Sequence, residues 1–207
     1  MTIGRFITLE GVEGAGKSTN LAFLEELLQA AGIQFLTTRE PGGTSLGEAL
    51  RQILLHGNHE GICSDSELLL MFAARAEHLA KRIRPALAQG AWVLCDRFTD
   101  ATYAYQGGGR GVPDRRIRVL EQWVQEELRP DLTLLLDIPV EEGLRRAGKR
   151  SAPDRFEREN REFFERVRAH YLDAAAREPV RIRVVNSALP REQVEDQIRT
   201  IMREFLA

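Results

Sequence analysis

Eight consecutive residues, Gly11-Val12-Glu13-Gly14-Ala15-Gly16-Lys17-Ser18, carry the spacing G-x-x-x-x-G-K-S. Glycines at these positions let the backbone wrap a polyphosphate with its N–H groups pointing inward, and a helix that starts there adds partial positive charge. Lys17 is spaced to reach the β- and γ-phosphates, and Ser18 to ligate magnesium. Gly11, Val12, Glu13, Gly14, Ala15, Gly16, Lys17, Ser18 and Thr19 are therefore candidate ATP contacts. A second constellation is Asp96-Arg97, which follows an apolar run; strand ends of this kind are where ligands gather in open α/β sheets. A third is the run Arg145, Arg146, Lys149, Arg150, Asp154, Arg155, Arg158, interrupted by Gly148 and Pro153. Such a run is either a solvated basic surface or a mobile lid over phosphates. Arg75 lies three residues after Phe72 on an apolar stripe, and spacing alone favours snorkelling to water over ligand contact.

These groups need elements to hold them. Phe6-Ile7-Thr8-Leu9 is short, apolar and β-prone, so the glycine loop follows a buried strand. Leu21, Leu24, Leu27 and Leu28 recur at helical spacing, and Gly32 suits the stop. Further strands are expected at 34–38, 91–95, 132–136 and 180–185, with 132–136 apolar enough to be buried on both faces. A helix from Ser45 is expected to bury Leu46, Ala49, Leu50, Ile53 and Leu54. Ser64-Asp65-Ser66-Glu67 reads as a capping box, opening a helix that ends just before Pro85. Gly107-Gly108-Gly109-Arg110-Gly111 reads as a flexible loop. Helices follow with Ile117, Leu120, Trp123 and Val124 inward, then at 140–146, at 160–177, and at the C-terminus. Five strands alternating with helices predict an α/β fold: a P-loop NTPase fold with a five-stranded parallel sheet flanked by helices. Neither repeats nor linkers divide residues 1–207, so one domain is expected, with a lid at about 145–158.

Composition narrows the class. The 207 residues carry a formal net charge of −2, so no global basic field points to nucleic acid. No apolar run approaches membrane-spanning length, and residues 1–5 show no signal h-region, so no signal segment is expected. Two cysteines make no disulfide framework, and a cytoplasmic location is expected. His56, His59 and Cys63 lack a fourth metal partner and read as solvated loop. The guanine-reading N/T-K-x-D and D-x-x-G elements of GTPases are missing. Asp137 is followed by Ile138-Pro139, which argues against a motor-type ATPase. Phosphoryl transfer to a small acceptor is the remaining reading.

The stretches 6–19 (FITLEGVEGAGKST), 39–44 (REPGGT), Phe72 with Arg75, 96–98 (DRF) and 104–111 (AYQGGGRG) together closely resemble the thymidylate kinase family, over essentially the whole chain. Acidic Glu13 in the P-loop and arginines in the lid resemble the bacterial class, in which the lid supplies the catalytic arginine. The resemblance implies a nucleoside monophosphate kinase-like enzyme that uses ATP and Mg²⁺ to phosphorylate dTMP to dTDP, a step in dTTP synthesis. Alternatives are a kinase for another deoxynucleotide or deoxynucleoside, or an ATP-binding regulatory module. It also implies a homodimer, with no nucleic-acid or membrane partner. By resemblance, Glu13 meets the 3′-hydroxyl of dTMP, Phe72 stacks on thymine, and Arg75 donates to a thymine carbonyl, which reverses the reading from spacing. Arg97 grips the phosphate with Arg39 or Arg51 nearby, and Pro41 lies alongside. Thr102 and Gln106 contact the base edge, and Tyr105 packs under the sugar. Asp96 orients magnesium through water. Arg146, Arg150 and Arg155 are the lid candidates, Arg150 first for the transition state, and 186–190 lies against adenine.

Overall fold

The computed structural model describes residues 4–56, 61–148 and 154–206. Strand β1 (Phe6–Glu10) leads into the P-loop and helix α1 (Lys17–Ala30). Strand β2 (Phe35–Arg39), helix α2 (Ser45–His56) and helix α3 (Ser64–His78) follow. A π-helical turn at Leu79–Ile83 joins α3 to α4 (Arg84–Ala88). After β3 (Trp92–Asp96) come α5 (Thr99–Thr102) and a second π-helical stretch, Tyr103–Gly109. Then come α6 (Asp114–Gln125), β4 (Leu132–Asp137), α7 (Val140–Ala147), α8 (Arg161–Arg177), β5 (Ile182–Asn186) and α9 (Arg191–Leu206).

All five strands are parallel, in the order β2-β3-β1-β4-β5. The chain leaves central β1, returns on one side through β2 and β3, and crosses to the other for β4 and β5. The carboxyl end of β1 lies where the strand order reverses, so a crevice opens beside the P-loop. Alternation along β1 feeds two cores: Phe6 packs with Leu79, Ile83, Val93 and Phe98, whereas Ile7 and Leu9 pack with Leu24, Leu28, Leu94 and Ile198. Each such buried large side chain contributes roughly 1.5–3 kcal/mol. Asn160 caps α8, its side chain accepting from the Phe163 N–H at 2.9 Å, a bond worth about 1 kcal/mol.

Several local expectations are corrected. Cys63, not Ser64, occupies the cap position of α3, and no side chain caps that end. Glu67 is fully buried instead, holding charged partners from other elements, and these outweigh a surface cap. The helix does not stop at Pro85. The wider π-helical turn makes room for the ring and absorbs its missing N–H. The glycine run is not a loose loop. Gly107 to Gly109 lie within the second π-helical stretch, and a Cβ on Gly109 would sit 2.4 Å from the Phe163 ring. These glycines permit backbone contact with α8, and Arg166 donates to the Gly109 carbonyl at 2.9 Å. Leu46, Ala49 and Ile53 of α2 are exposed, and so is Trp123 of α6, 78% of whose surface is open. Together with Leu69, Ala73 and Ala76 of α3, Trp123 borders an open apolar groove.

Candidate active site

The cleft at the carboxyl ends of β1 and β3 is lined by Glu13, Gly14, Gly16, Lys17 and Ser18 from the P-loop and α1. Glu40, Pro41 and Arg51 close one side, Met71 and Arg75 from α3 the floor, and Asp96, Arg97, Thr102, Tyr105 and Gln106 the opposite wall. Asp154, Phe156 and Glu157 reach in from the segment before α8. The P-loop is set by close backbone contact: a Cβ on Gly14 would fall 1.9 Å from the Gly143 carbonyl of α7, so both positions admit only glycine.

Buried polar atoms without partners mark what the cleft is built to receive. Arg75 is 2% exposed. Its Nε donates to Glu40 Oε2 at 2.7 Å and its Nη2 to Thr102 Oγ1 at 2.8 Å, while Nη1 has no partner. The reading of Arg75 as a snorkelling residue is therefore overturned. Glu40 is itself held by His78 Nδ1 at 3.0 Å, and His78 Nε2 meets Thr38 Oγ1 at 2.7 Å. A Thr38–His78–Glu40–Arg75–Thr102 chain thus fixes the guanidinium from behind. The Arg97 guanidinium stacks on the Tyr105 ring at 4.7 Å and donates through Nη2 to Glu13 Oε1 at 2.5 Å. Its Nη1 is again buried without a partner. Arg97 adopts φ 68°, the left-handed region that a non-glycine residue rarely enters, and such strain concentrates at functional sites. A buried guanidinium N–H with nothing to bond is costly, and here two of them share one cleft. Asp96 Oδ1 is a buried acceptor without a partner.

Electrostatics tie these groups together. Burial pushes the Glu13 carboxyl up, but Arg97 and Lys17 outweigh it and hold it below the ordinary carboxylate value. Burial, reinforced by Arg97, draws the Lys17 ammonium below its usual value. Lys17 Nζ donates to the Gly11 and Val12 carbonyls, each at 3.1 Å. Beneath the loop, burial and then Asp100 push the Glu10 carboxyl up to about 8.

Other predicted residues fall elsewhere. Phe72 is not among the residues lining the cleft. It packs with Leu68, Val112 and Ile117, and its ring lies 4.7 Å from the Arg75 guanidinium. The place expected for it on the cleft floor is taken by Met71, one helical turn before Arg75, while Phe72, although also beside Arg75, turns to the side of α3 that packs on Val112 and Ile117. Arg39 turns outward to Glu48 at 2.9 Å, whereas Arg51 lines the cleft and donates to the Pro41 carbonyl at 2.9 Å. Thr19 is exposed at the start of α1. Arg146 donates to the Ser187 carbonyl at 3.0 Å and to Glu142 at 2.9 Å. It lies beside the 186–190 loop, whose Ser187 hydroxyl donates to the Ala15 carbonyl of the P-loop at 2.5 Å. Arg155 faces away from the cleft, bonded to the Leu54 carbonyl and Glu67. Arg150 lies outside the described residues. Glu40, Met71, Glu67 and His78 escaped sequence reasoning. The i,i+4 spacing of Met71 to Arg75 was the available signal.

A P-loop on the central strand of a β2-β3-β1-β4-β5 parallel sheet, facing two arginines with buried, unpartnered N–H groups, defines a P-loop phosphotransferase of the nucleoside monophosphate kinase type. A family model described as thymidylate kinase matches residues 9–198. A thymidylate kinase of Pseudomonas savastanoi pv. phaseolicola is 58% identical over 203 residues, covering 98% of this chain and 97% of that protein. Another, of Alcanivorax borkumensis, is 56% identical over 204 residues, covering 99% and 98%. The crystal structure of thymidylate kinase from Ehrlichia chaffeensis superposes with a TM-score of 0.78 at 35% identity, covering 96% of this chain and 98% of that one. The chain belongs to the thymidylate kinase family.

Proposed function

We propose that this chain transfers the γ-phosphoryl group of ATP to dTMP, giving dTDP and ADP. The observation that carries the reading is the pair of buried, partly unpartnered guanidinium groups of Arg75 and Arg97 facing one cleft that begins at the P-loop. Arg97, with Arg51 at the rim, holds the acceptor phosphate, because planar N–H donors match phosphate oxygens. Arg75 presents its free N–H to a pyrimidine carbonyl above Met71. Glu13 and Tyr105 border the sugar. The P-loop amides and Lys17 hold the β- and γ-phosphates, and Lys17 exchanges its two loop carbonyls for phosphate oxygens. The acceptor phosphate oxygen attacks the γ-phosphorus in line, and no protein nucleophile is needed.

Ser18 and the unpartnered carboxylate oxygen of Asp96 fit a hydrated Mg²⁺. Bound there, the ion would neutralise charge on the polyphosphate. Arg146 belongs to the ATP side, next to the 186–190 loop. The reading takes the chain as one kinase domain with a lid in 145–158, to which Arg150 would contribute the transition-state charge. A homodimer through the apolar groove between α3 and α6 accounts for the exposure of Trp123 and Leu69. No helix among the described residues is long and apolar enough to cross a membrane, which accords with a cytoplasmic enzyme.

The test is ADP formation from ATP·Mg²⁺ with dTMP, dUMP, dCMP and dGMP offered separately. Preferred turnover of dTMP is expected. ATP binding without turnover of any acceptor would discard the reading.

A further inference from the structure

Glu67 lies in the first turn of α3 and is fully buried. Its carboxylate accepts from Gln106 Nε2 at 2.8 Å, from Arg155 Nη2 at 2.6 Å and from Arg110 Nε at 3.4 Å. Glu67 itself does not line the cleft, yet one of these bonds decides what the cleft presents. Gln106 lines the cleft, and its side-chain amide has a donor end and an acceptor end. The nitrogen is committed to Glu67. The carbonyl oxygen takes no hydrogen bond among the described residues and is the end left for a ligand. Turning the amide over would set its oxygen against a carboxylate oxygen at hydrogen-bond distance, so that orientation is closed. Arg155 and Arg110 hold the carboxylate in place from two other elements. Arg155 is anchored in turn by its Nε on the Leu54 carbonyl at 2.8 Å.

We propose that Glu67 is a specificity-determining positioning residue that fixes the polarity of the Gln106 amide. The cleft then offers a donor, Arg75 Nη1, together with an acceptor, the Gln106 carbonyl. That pair is complementary to a pyrimidine imide edge, where a carbonyl acceptor stands beside an N3–H donor. It opposes cytosine, whose amino donor stands beside an N3 acceptor, so cytosine would bring donor to donor and acceptor to acceptor. The inference rests on the pyrimidine monophosphate reading above. It deepens that reading by assigning the discrimination to a residue outside the cleft.

The test compares kcat/KM for dTMP and dCMP, with ATP, in the full-length wild type, Glu67→Gln and Arg155→Met. A glutamine at 67 keeps the volume but can show either nitrogen or oxygen, so both orientations of Gln106 become satisfiable. The dTMP-to-dCMP ratio is expected to fall about tenfold or more in Glu67→Gln. In Arg155→Met, which keeps the carboxylate, the ratio is expected to stay near the wild-type value whatever happens to the rate. A folded Glu67→Gln with the wild-type ratio overturns the inference, and so does an equal loss in Arg155→Met, which would make anchoring the cause. Should Glu67→Gln not fold, the unaltered protein answers with dTMP carrying ¹⁵N at N3. A slowly exchanging, hydrogen-bonded imino proton supports the assignment, and exchange at the free-nucleotide rate overturns it. Absence of dTMP turnover by the wild type would remove the functional reading and this inference with it; turnover with an unchanged ratio removes the inference alone.

Discussion

At the Arg75 end of the cleft, a five-residue chain of hydrogen bonds from Thr38 to Thr102 holds the guanidinium and leaves one N–H for the ligand. At the P-loop end, Lys17 is folded onto two carbonyls of its own loop, and Arg146 onto Ser187 and Glu142. The first end is complete before a ligand arrives, so binding there costs little further ordering. On the proposed reading, the second must trade protein acceptors for phosphate oxygens. That difference suits a kinase. Recognition of the acceptor base is a ground-state task and profits from rigidity, whereas cations on the donor side act on charge that moves during transfer.

The sharpest way to break the comparison is at Lys17. Lys17→Ala is expected to lower kcat by about 10²–10³-fold, with dTMP affinity, read by calorimetry, little changed. A parallel loss of dTMP affinity would mean that the two ends are not separate. At the rigid end, Arg75→Ala leaves the Glu40 carboxylate buried with only His78 beside it. Roughly 3 kcal/mol of stability should be lost, read from urea unfolding. The double variant Arg75→Ala/Glu40→Ala should lose less than the sum of its parts.

Glu10, at the end of β1, is buried, its carboxylate accepting from the Phe98 N–H at 2.7 Å and from the Tyr171 hydroxyl at 2.7 Å. Its folded value of about 8 lies above the ordinary 4.5. The unfolded chain releases this proton near 4.5 and the folded one near 8, so the folded state binds more protons between them. Stability contributed by Glu10 is therefore full below about 4.5 and declines as pH rises to about 8, by at most roughly 1.4 kcal/mol per pH unit. Glu10→Gln should flatten that slope in urea midpoints taken from pH 6 to 8. The smallest effect is expected at Arg39, whose ion pair with Glu48 is about half exposed. Arg39→Ala should change stability by no more than about 0.5 kcal/mol and leave the KM for dTMP in place. Arg51→Ala should raise that KM roughly tenfold. Equal effects of the two would redraw the border of the cleft.

The strands, their parallel order in sequence, the P-loop and the Asp96-Arg97 strand end were legible because each rests on short-range pattern: apolar runs, glycine spacing, helix stops. What the sequence hid depends on which side of an element faces which neighbour. Glu67 carries the local signature of a cap, and the approach of Gln106, Arg110 and Arg155, the last 88 positions away, draws it inward. Phe72 and Met71 are adjacent, and a 100° turn of α3 decides which one floors the cleft. The glycines of 107–109 look permissive in isolation, but their use is contact with Phe163 and His170. Arg39 and Arg51 are both arginines near the site, and Glu48 on α2 takes one of them away.

The exposure of Trp123 has an optical side. The chain has two tryptophans. Trp92 stands edge-on to Phe205 at 5.7 Å, half-buried, and Trp123 is 78% open to solvent on the apolar groove. Red-shifted emission from the isolated chain therefore belongs to Trp123 and blue-shifted emission to Trp92. A second copy covering the groove, as proposed above, would move only the red component, so the intrinsic fluorescence of the unlabelled protein on dilution tests that pairing.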